Sequence, residues 1–140
     1  MFARLVIALV VASVGAARGD AAESPTAFQC AFTAGATYVY ENGQFAHERG
    51  GALSFGIAGI NAQTQSAELR TGGGTGTLRI VHAVNAMHFL EVATEGSLYI
   101  TTVFDKDDAK GGYPAVHSRH FALLGQPIVS QYQGFCQAGG

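Results

Sequence analysis

The sequence predicts an all-β protein, an antiparallel meander of about eight to ten short strands that closes, or nearly closes, into a barrel. Three observations carry this prediction. Apolar side chains alternate with polar or small ones along most of the chain, no long stretch shows a helical period, and turn-forming residues recur at short intervals. The chain also has 19 glycines and 10% aromatic residues among its 140 residues. A two-sheet β-sandwich is the alternative architecture.

The first 22 residues have the organisation of a secretory signal peptide. Arg4 precedes an apolar run over residues 5–12, and a stretch rich in small residues follows as far as Ala22. The run is shorter than the roughly 20 residues that a membrane-spanning helix needs. A buried N-terminal helix is the alternative, but nothing polar recurs along the run at a helical period. We therefore expect residues 1–22 to be removed, leaving one exported domain over 23–140, in the bacterial periplasm or secreted, without a membrane span.

The strongest local signal is a β-hairpin at the end of the first strand region. Asn42-Gly43 accepts the positive φ angles of a type I′ turn and would pair Tyr40 with Phe45. Before it, a strand is expected in which Phe28, Cys30 and Phe32 share one face. Alternation and turn residues predict the remaining strands over 53–60, 67–70, 78–83, 87–94, 97–104, 115–123 and 128–136, the last two joined by a turn at 125–127.

A glycine-rich run, residues 71–77, separates two of these strands. It resembles a phosphate-binding loop only superficially, because the Gly-Lys-Ser/Thr ending is absent and no long helical pattern follows. We therefore expect a mobile hairpin loop.

Pairing of the next two strands depends on the turn that joins them. Glu95-Gly96 is expected to form a two-residue turn in which Thr94 pairs with Ser97. That register predicts one face shared by the two strands, on which Glu91 is the only ionisable group. The face comprises Met87, Phe89, Glu91 and Ala93 of the first strand and Leu98, Ile100, Thr102 and Phe104 of the second.

The two cysteines, Cys30 and Cys136, lie at opposite ends of the expected domain. In an exported protein an even number of cysteines indicates a disulfide, with a pair of buried free thiols as the alternative. Bridged Cα atoms lie about 4.4–6.8 Å apart, close to the ~4.8 Å between neighbouring strands. The first and last strands should therefore be adjacent, which favours a closed barrel.

Several short segments of the chain resemble a known group of proteins. They are Phe28-x-Cys30, His88-Phe89-Leu90-Glu91-Val92, Thr101-Thr102-Val103-Phe104, Tyr113-Pro114-Ala115-Val116-His117-Ser118-Arg119-His120 and Gln131-Tyr132-x-Gly134-Phe135-Cys136. Together they are similar to a family of short exported proteins of alphaproteobacteria. The resemblance covers almost the whole expected domain. It implies bacterial export and a two-cysteine domain, and it carries no activity.

Glu91 and Arg119 each interrupt an apolar alternation, so both are expected to point inward. Charges inside a small domain are tolerable only where a partner, a ligand or water compensates them. Two interpretations follow. In the first, the two residues form a structural ion pair, or the arginine lies at the barrel mouth. In the second, the pair lines a ligand cavity. The candidate ligand site comprises Glu91 and Arg119 with His88, His117 and His120.

The histidines also suggest an alternative, a metal-dependent or acid/base enzyme that uses His88, Glu91, and His117 or His120, with His82 as a further ligand. On a strand, however, the spacing of His117 and His120 sends them to opposite faces. Cysteines at metal-binding spacing are absent. We therefore predict no metal ligands, no cofactor and no catalytic residues.

The charge composition of the chain excludes nucleic-acid binding. Only 13% of residues are charged, against roughly 25% in an average soluble domain, and no basic stretch could hold nucleic acid. We expect a disulfide-closed β-domain that binds a small amphipathic ligand or a protein partner. A structural envelope protein is the third interpretation. A cavity of roughly 300 Å³ or more with convergent polar groups would favour binding of a small ligand. A filled interior with an exposed aromatic patch would favour binding of a protein partner.

Overall fold

The computed structural model describes residues 24–93 and 96–139. The described residues form nine strands: β1 (Ala27–Glu41), β2 (Gln44–Gly50), β3 (Leu53–Asn61), β4 (Ser66–Thr71), β5 (Gly74–His82), β6 (Ala86–Val92), β7 (Leu98–Phe104), β8 (Tyr113–Leu123) and β9 (Gln126–Gly139). The signal-peptide prediction falls on residues 1–22, outside the described residues. In the part of the chain that the structure describes, no helix is long and apolar enough to cross a membrane.

The strands form a closed antiparallel barrel, as the sequence predicted. From β3 to β9 each strand pairs with the next along the chain, and β1 pairs with both β3 and β9. Eight strands therefore close the barrel, and β2 is an additional strand beside β1. Closure removes the free sheet edges that an open meander would expose.

The length of β1 explains the additional strand. Its first half pairs with β3 through positions such as Phe28 and Ile57, whereas its second half pairs with β2. A bulge between Phe32 and Ala34 separates the two halves. Tyr40 pairs with Phe45 across Asn42-Gly43, whose φ angles are 51° and 80°, so the predicted hairpin is confirmed. The hairpin places β2 beside the second half of β1, whose other edge pairs with β9.

The core fills the barrel interior with aromatic and branched side chains. Its largest members, each almost fully buried, are Phe32, Phe89, Ile57 and Ile80, and each such side chain contributes about 1.5–3 kcal/mol by leaving water. Cys30 and Cys136 are direct partners across β1 and β9, and both are completely buried. They are joined by the predicted disulfide, which crosses the seam where the barrel closes.

The register predicted for the β6–β7 hairpin was wrong by one residue. Glu91 pairs with Tyr99, and the amide of Ala93 donates to the carbonyl of Ser97. Three residues rather than two therefore connect the paired positions; Thr94 and Glu95 lie outside the described residues. A shift of one residue exchanges the faces of a strand, so the face shared with Glu91 carries Tyr99, Thr101 and Val103, not Leu98, Ile100, Thr102 and Phe104.

Two turns also differ from the prediction. The glycine-rich run forms a tight turn at Gly72-Gly73, and residues 74–77 already belong to β5 rather than to a loop. The β8–β9 turn lies at Leu124-Gly125, with φ angles of 51° and 84°, instead of at 125–127. Pro127 is tolerated within β9 because β1 pairs with β9 only as far as Ile128, so no ladder bond from the Pro127 nitrogen is required on that side.

Candidate functional site

A half-open cavity of about 410 Å³ lies inside the barrel. Leu53, Phe55, Leu69, Leu78 and Phe89 provide its apolar lining. Glu91, Tyr99, Thr101, His117 and Arg119 provide polar groups on the β6–β8 side. Gly73 in the β4–β5 turn and Gly74 at the start of β5 form part of the rim. Because protein interiors are normally close-packed, an open volume of this size beside a buried core is a candidate binding site.

The strand register arranges the two charged residues in one row. Glu91 pairs with Tyr99, and Tyr99 pairs with Arg119, so the three side chains share the inner face of β6, β7 and β8. Two interstrand steps separate the Glu91 and Arg119 backbones by roughly 10 Å. Among the described residues, ion pairs join only Arg70 with Glu68 and Lys106 with Asp108. The structural ion pair between Glu91 and Arg119 is therefore not formed, although both residues line the cavity.

The Glu91 carboxylate occupies space that a glycine leaves open. A Cβ at Gly76 on β5 would lie 2.8 Å from Glu91 Oε1, so any larger residue there would displace the carboxylate. Burial raises the pKa of Glu91, and the charge of Arg119 partly opposes that effect. Glu91 is thus an acceptor at the cavity wall that is more readily protonated than an exposed carboxylate.

Arg119 is held by contacts on three sides. Its Nε donates a hydrogen bond to Nε2 of His117 at 3.1 Å. Its guanidinium carbon lies 5.7 Å from the ring centre of Tyr99 and 5.4 Å from that of Tyr132, within the range of cation–π attraction. The Tyr132 ring in turn lies against Gly35, where a Cβ would be only 2.5 Å from Tyr132 Cδ1. Sequence reasoning missed Tyr132, although its even spacing from Cys136 on β9 could have placed it on the inner face.

His117 is buried beneath the guanidinium, with 6% of its surface exposed. Its Nδ1 lies 2.9 Å from Oγ1 of Thr101, and its ring contacts Phe55 and Tyr132. Burial, followed by the charge of Arg119, lowers the pKa of His117 to about 4. The ring is therefore neutral near pH 7. Because Nε2 accepts from Arg119, the ring proton resides on Nδ1 and is donated to Thr101.

The other predicted histidines are not brought to the cavity. His88 and His120 lie on the outer face of the barrel, where Nδ1 of His88 is 2.9 Å from Oγ1 of Thr102 and His120 is exposed. Their positions follow from strand alternation, since Phe89 and Arg119 on the same strands point inward. Within 24–93 and 96–139, no three His, Cys, Asp or Glu side chains come close enough to hold a metal ion. The ligand site that the sequence predicted is thus reduced to Glu91, His117 and Arg119.

No protein-family model matches the chain, and no curated protein matches it. The resemblance to exported alphaproteobacterial proteins stays a prediction. The geometry of the cavity and the chemistry of the side chains that line it therefore indicate what the protein can bind.

Proposed function

We propose that this protein is an exported, disulfide-closed β-barrel that binds a small amphipathic ligand inside the barrel. The observation that carries the proposal is the cavity of about 410 Å³, apolar on one side and lined on the other by Glu91, Tyr99, Thr101, His117 and Arg119. Small-molecule sites commonly have volumes of about 300–1,000 Å³, mostly apolar walls and a few convergent polar groups. A completely buried disulfide suits an oxidising compartment, which supports export.

The open interior favours a small ligand over a protein partner. A partner-binding or purely structural barrel has no need of unfilled volume, and cavities reduce stability because their walls lose packing contacts. Tyr40 and Phe45 form an exposed aromatic pair on the hairpin, with ring centres 5.0 Å apart, but a partner bound to this pair would not account for the cavity. The cavity is the feature that a ligand would account for.

Titration with N-phenyl-1-naphthylamine, an uncharged apolar fluorophore, tests the proposal. We expect a saturable rise in fluorescence with one probe bound per chain. The variant Leu69→Trp should abolish the rise, because the larger ring would occupy the cavity that Leu69 lines. Thr77→Trp on the adjacent strand is the matched control, since Thr77 is exposed on the outer face.

Equal probe binding by the Leu69→Trp and Thr77→Trp variants would place the probe elsewhere and contradict the proposal. Export is tested separately. When the full chain is expressed in a bacterium, the protein recovered from the periplasm or the medium should have an N-terminus close to Glu23. An intact N-terminus on cytoplasmic protein would contradict export.

A further inference from the structure

We infer that the ligand is a medium-chain monocarboxylate, with its carboxylate bound by the terminal nitrogens of Arg119 and its hydrocarbon chain in the apolar part of the cavity. This inference rests on the proposed function and specifies the chemistry of the same site. It is based on the contacts of Arg119 with His117, Tyr99 and Tyr132.

Arg119 presents a fork of hydrogen-bond donors to which no described residue is bonded. In the part of the chain that the structure describes, the side chain makes one hydrogen bond, from Nε to His117. No buried side-chain nitrogen of the described residues lacks a partner, so the unbonded terminal nitrogens of Arg119 are accessible to solvent, and the residue lines the cavity. Two parallel N–H donors in a plane match the two oxygens of a carboxylate.

The described neighbours of Arg119 fix its direction without neutralising it. Tyr99 and Tyr132 flank the guanidinium, and His117 accepts from Nε as a neutral ring. Glu91 lies in the same row of inward side chains, but its carboxylate is not within 4 Å of the guanidinium. The ion pairs of the described residues join Arg70 with Glu68 and Lys106 with Asp108. An oriented cation that no described carboxylate neutralises is preorganised for an anionic ligand, which then loses less free energy to reorganisation.

The rest of the cavity determines the remainder of the ligand. Leu53, Phe55, Leu69, Leu78 and Phe89 offer no side-chain donor or acceptor, so the part that reaches them must be hydrocarbon. The volume lies near the lower end of the range for small-molecule sites, which favours a chain of medium length. Glu91 also faces the cavity, and its charge would repel a phosphate dianion more strongly than a carboxylate monoanion.

The test is displacement of N-phenyl-1-naphthylamine by three compounds with the same ten-carbon chain: decanoate, decanol and decylamine. At about pH 8 they are an anion, a neutral molecule and a cation, and each is used below its micellar concentration. We expect decanoate to displace the probe at a concentration at least tenfold lower than decanol or decylamine. Glu91→Gln should improve decanoate binding severalfold, because it removes the opposing charge.

Arg119→Met should abolish the advantage of decanoate over decanol, measured as the ratio of their displacing concentrations within that variant. Arg119→Lys, which keeps the charge but loses the planar fork, should retain part of the advantage. The matched control is Arg79→Met, because Arg79 is exposed on the outer face of β5. This control should behave as the unchanged protein.

The outcomes separate the two proposals. If the probe does not bind the unchanged protein in the cavity, the proposed function fails. If the probe binds and Leu69→Trp blocks it, but decanol or decylamine displaces it as well as decanoate does, the proposed function stands and the carboxylate inference is overturned. A decanoate advantage that persists in Arg119→Met would also overturn the inference.

Discussion

Arg119 and His117, two residues apart on β8, are joined by a hydrogen bond of 3.1 Å from Nε of the arginine to Nε2 of the histidine. Residues at this spacing share one face of a strand, so both side chains enter the barrel. The bond requires a neutral imidazole, because a protonated ring has no acceptor. Protonation of the His117 ring would therefore remove the acceptor that orients the guanidinium of Arg119.

The first prediction concerns the pH dependence of stability. His117 has a pKa of about 4 in the folded protein against 6.5 when exposed. Between these values the unfolded chain binds a proton that the folded protein does not, so the free energy of unfolding decreases as pH falls from 6.5 to 4. The loss should reach about 2–3 kcal/mol near pH 4.5. Above pH 6.5 the residue should have no effect on the slope.

Urea unfolding at about pH 7 and pH 4.5 checks this, with His117→Gln as the comparison. Carboxylates titrate in the same interval in both proteins, and their contribution cancels in the difference between them. The variant should lose less stability on acidification than the unchanged protein. Equal losses in the two proteins would show that His117 is not the group responsible.

The second prediction concerns single substitutions of the two charged cavity residues. Breaking a buried ion pair costs about 3–5 kcal/mol, but Glu91 and Arg119 form no such pair. Glu91→Gln should therefore change the free energy of unfolding by less than about 1 kcal/mol. Arg119→Met should cost about 1–2 kcal/mol, because it removes the cation–π contacts and the donor to His117. Denaturant titration measures both, and a loss of 3 kcal/mol or more in either variant would indicate a buried pair.

The third prediction concerns the disulfide between Cys30 and Cys136, whose sequence separation is 106. Closing a loop of this length stabilises the folded state by up to about 4.7 kcal/mol in the chain-entropy model. Reduction, or the double change Cys30→Ala with Cys136→Ala, should lower Tm accordingly. Thiol titration of the unfolded, unreduced protein should find no free thiol. Two free thiols in protein purified from an oxidising compartment would be incompatible with the bridge.

The fourth prediction concerns Gly35, on which the Tyr132 ring lies. A methyl group there would meet Cδ1 of Tyr132 at 2.5 Å, so Gly35→Ala must displace the ring that flanks Arg119. We expect a loss of about 1–3 kcal/mol in the free energy of unfolding, as for other overpacked positions. Weaker decanoate binding should accompany it. Gly51→Ala is the control because a Cβ at Gly51 meets nothing within 4 Å. Similar losses of stability and of decanoate binding in the two variants would show that the contact between Gly35 and Tyr132 is not responsible.

Much of the fold was predictable because alternation is a local property. Within one strand the side chains must alternate between faces, so the sequence grouped Phe28 with Cys30 and Glu91 with Phe89 before any pairing was known. The turn at Asn42-Gly43 was predictable for a similar reason, since those two residues readily accept its backbone angles. The spacing of the cysteines and an exported context together indicated that β1 meets β9.

The candidate site was only partly predictable. The inward direction of Glu91 and Arg119 follows from alternation on their own strands. The contribution of Tyr99 and Thr101 does not, because it depends on the offset between β6 and β7. Likewise, the contact of Tyr132 with Arg119 depends on how β9 pairs with β8 and on the space above Gly35.

By itself, then, the sequence determined which residues of each strand share a face, where the clearest turn lies and which strands the cysteines join. Only the tertiary structure decided the β6–β7 register, the absence of an ion pair between Glu91 and Arg119, and the volume left open beside them. The physical reason is that alternation arises within one strand from backbone geometry. Register and cavity volume instead arise from many side chains packing together across the whole barrel, so no local pattern encodes them.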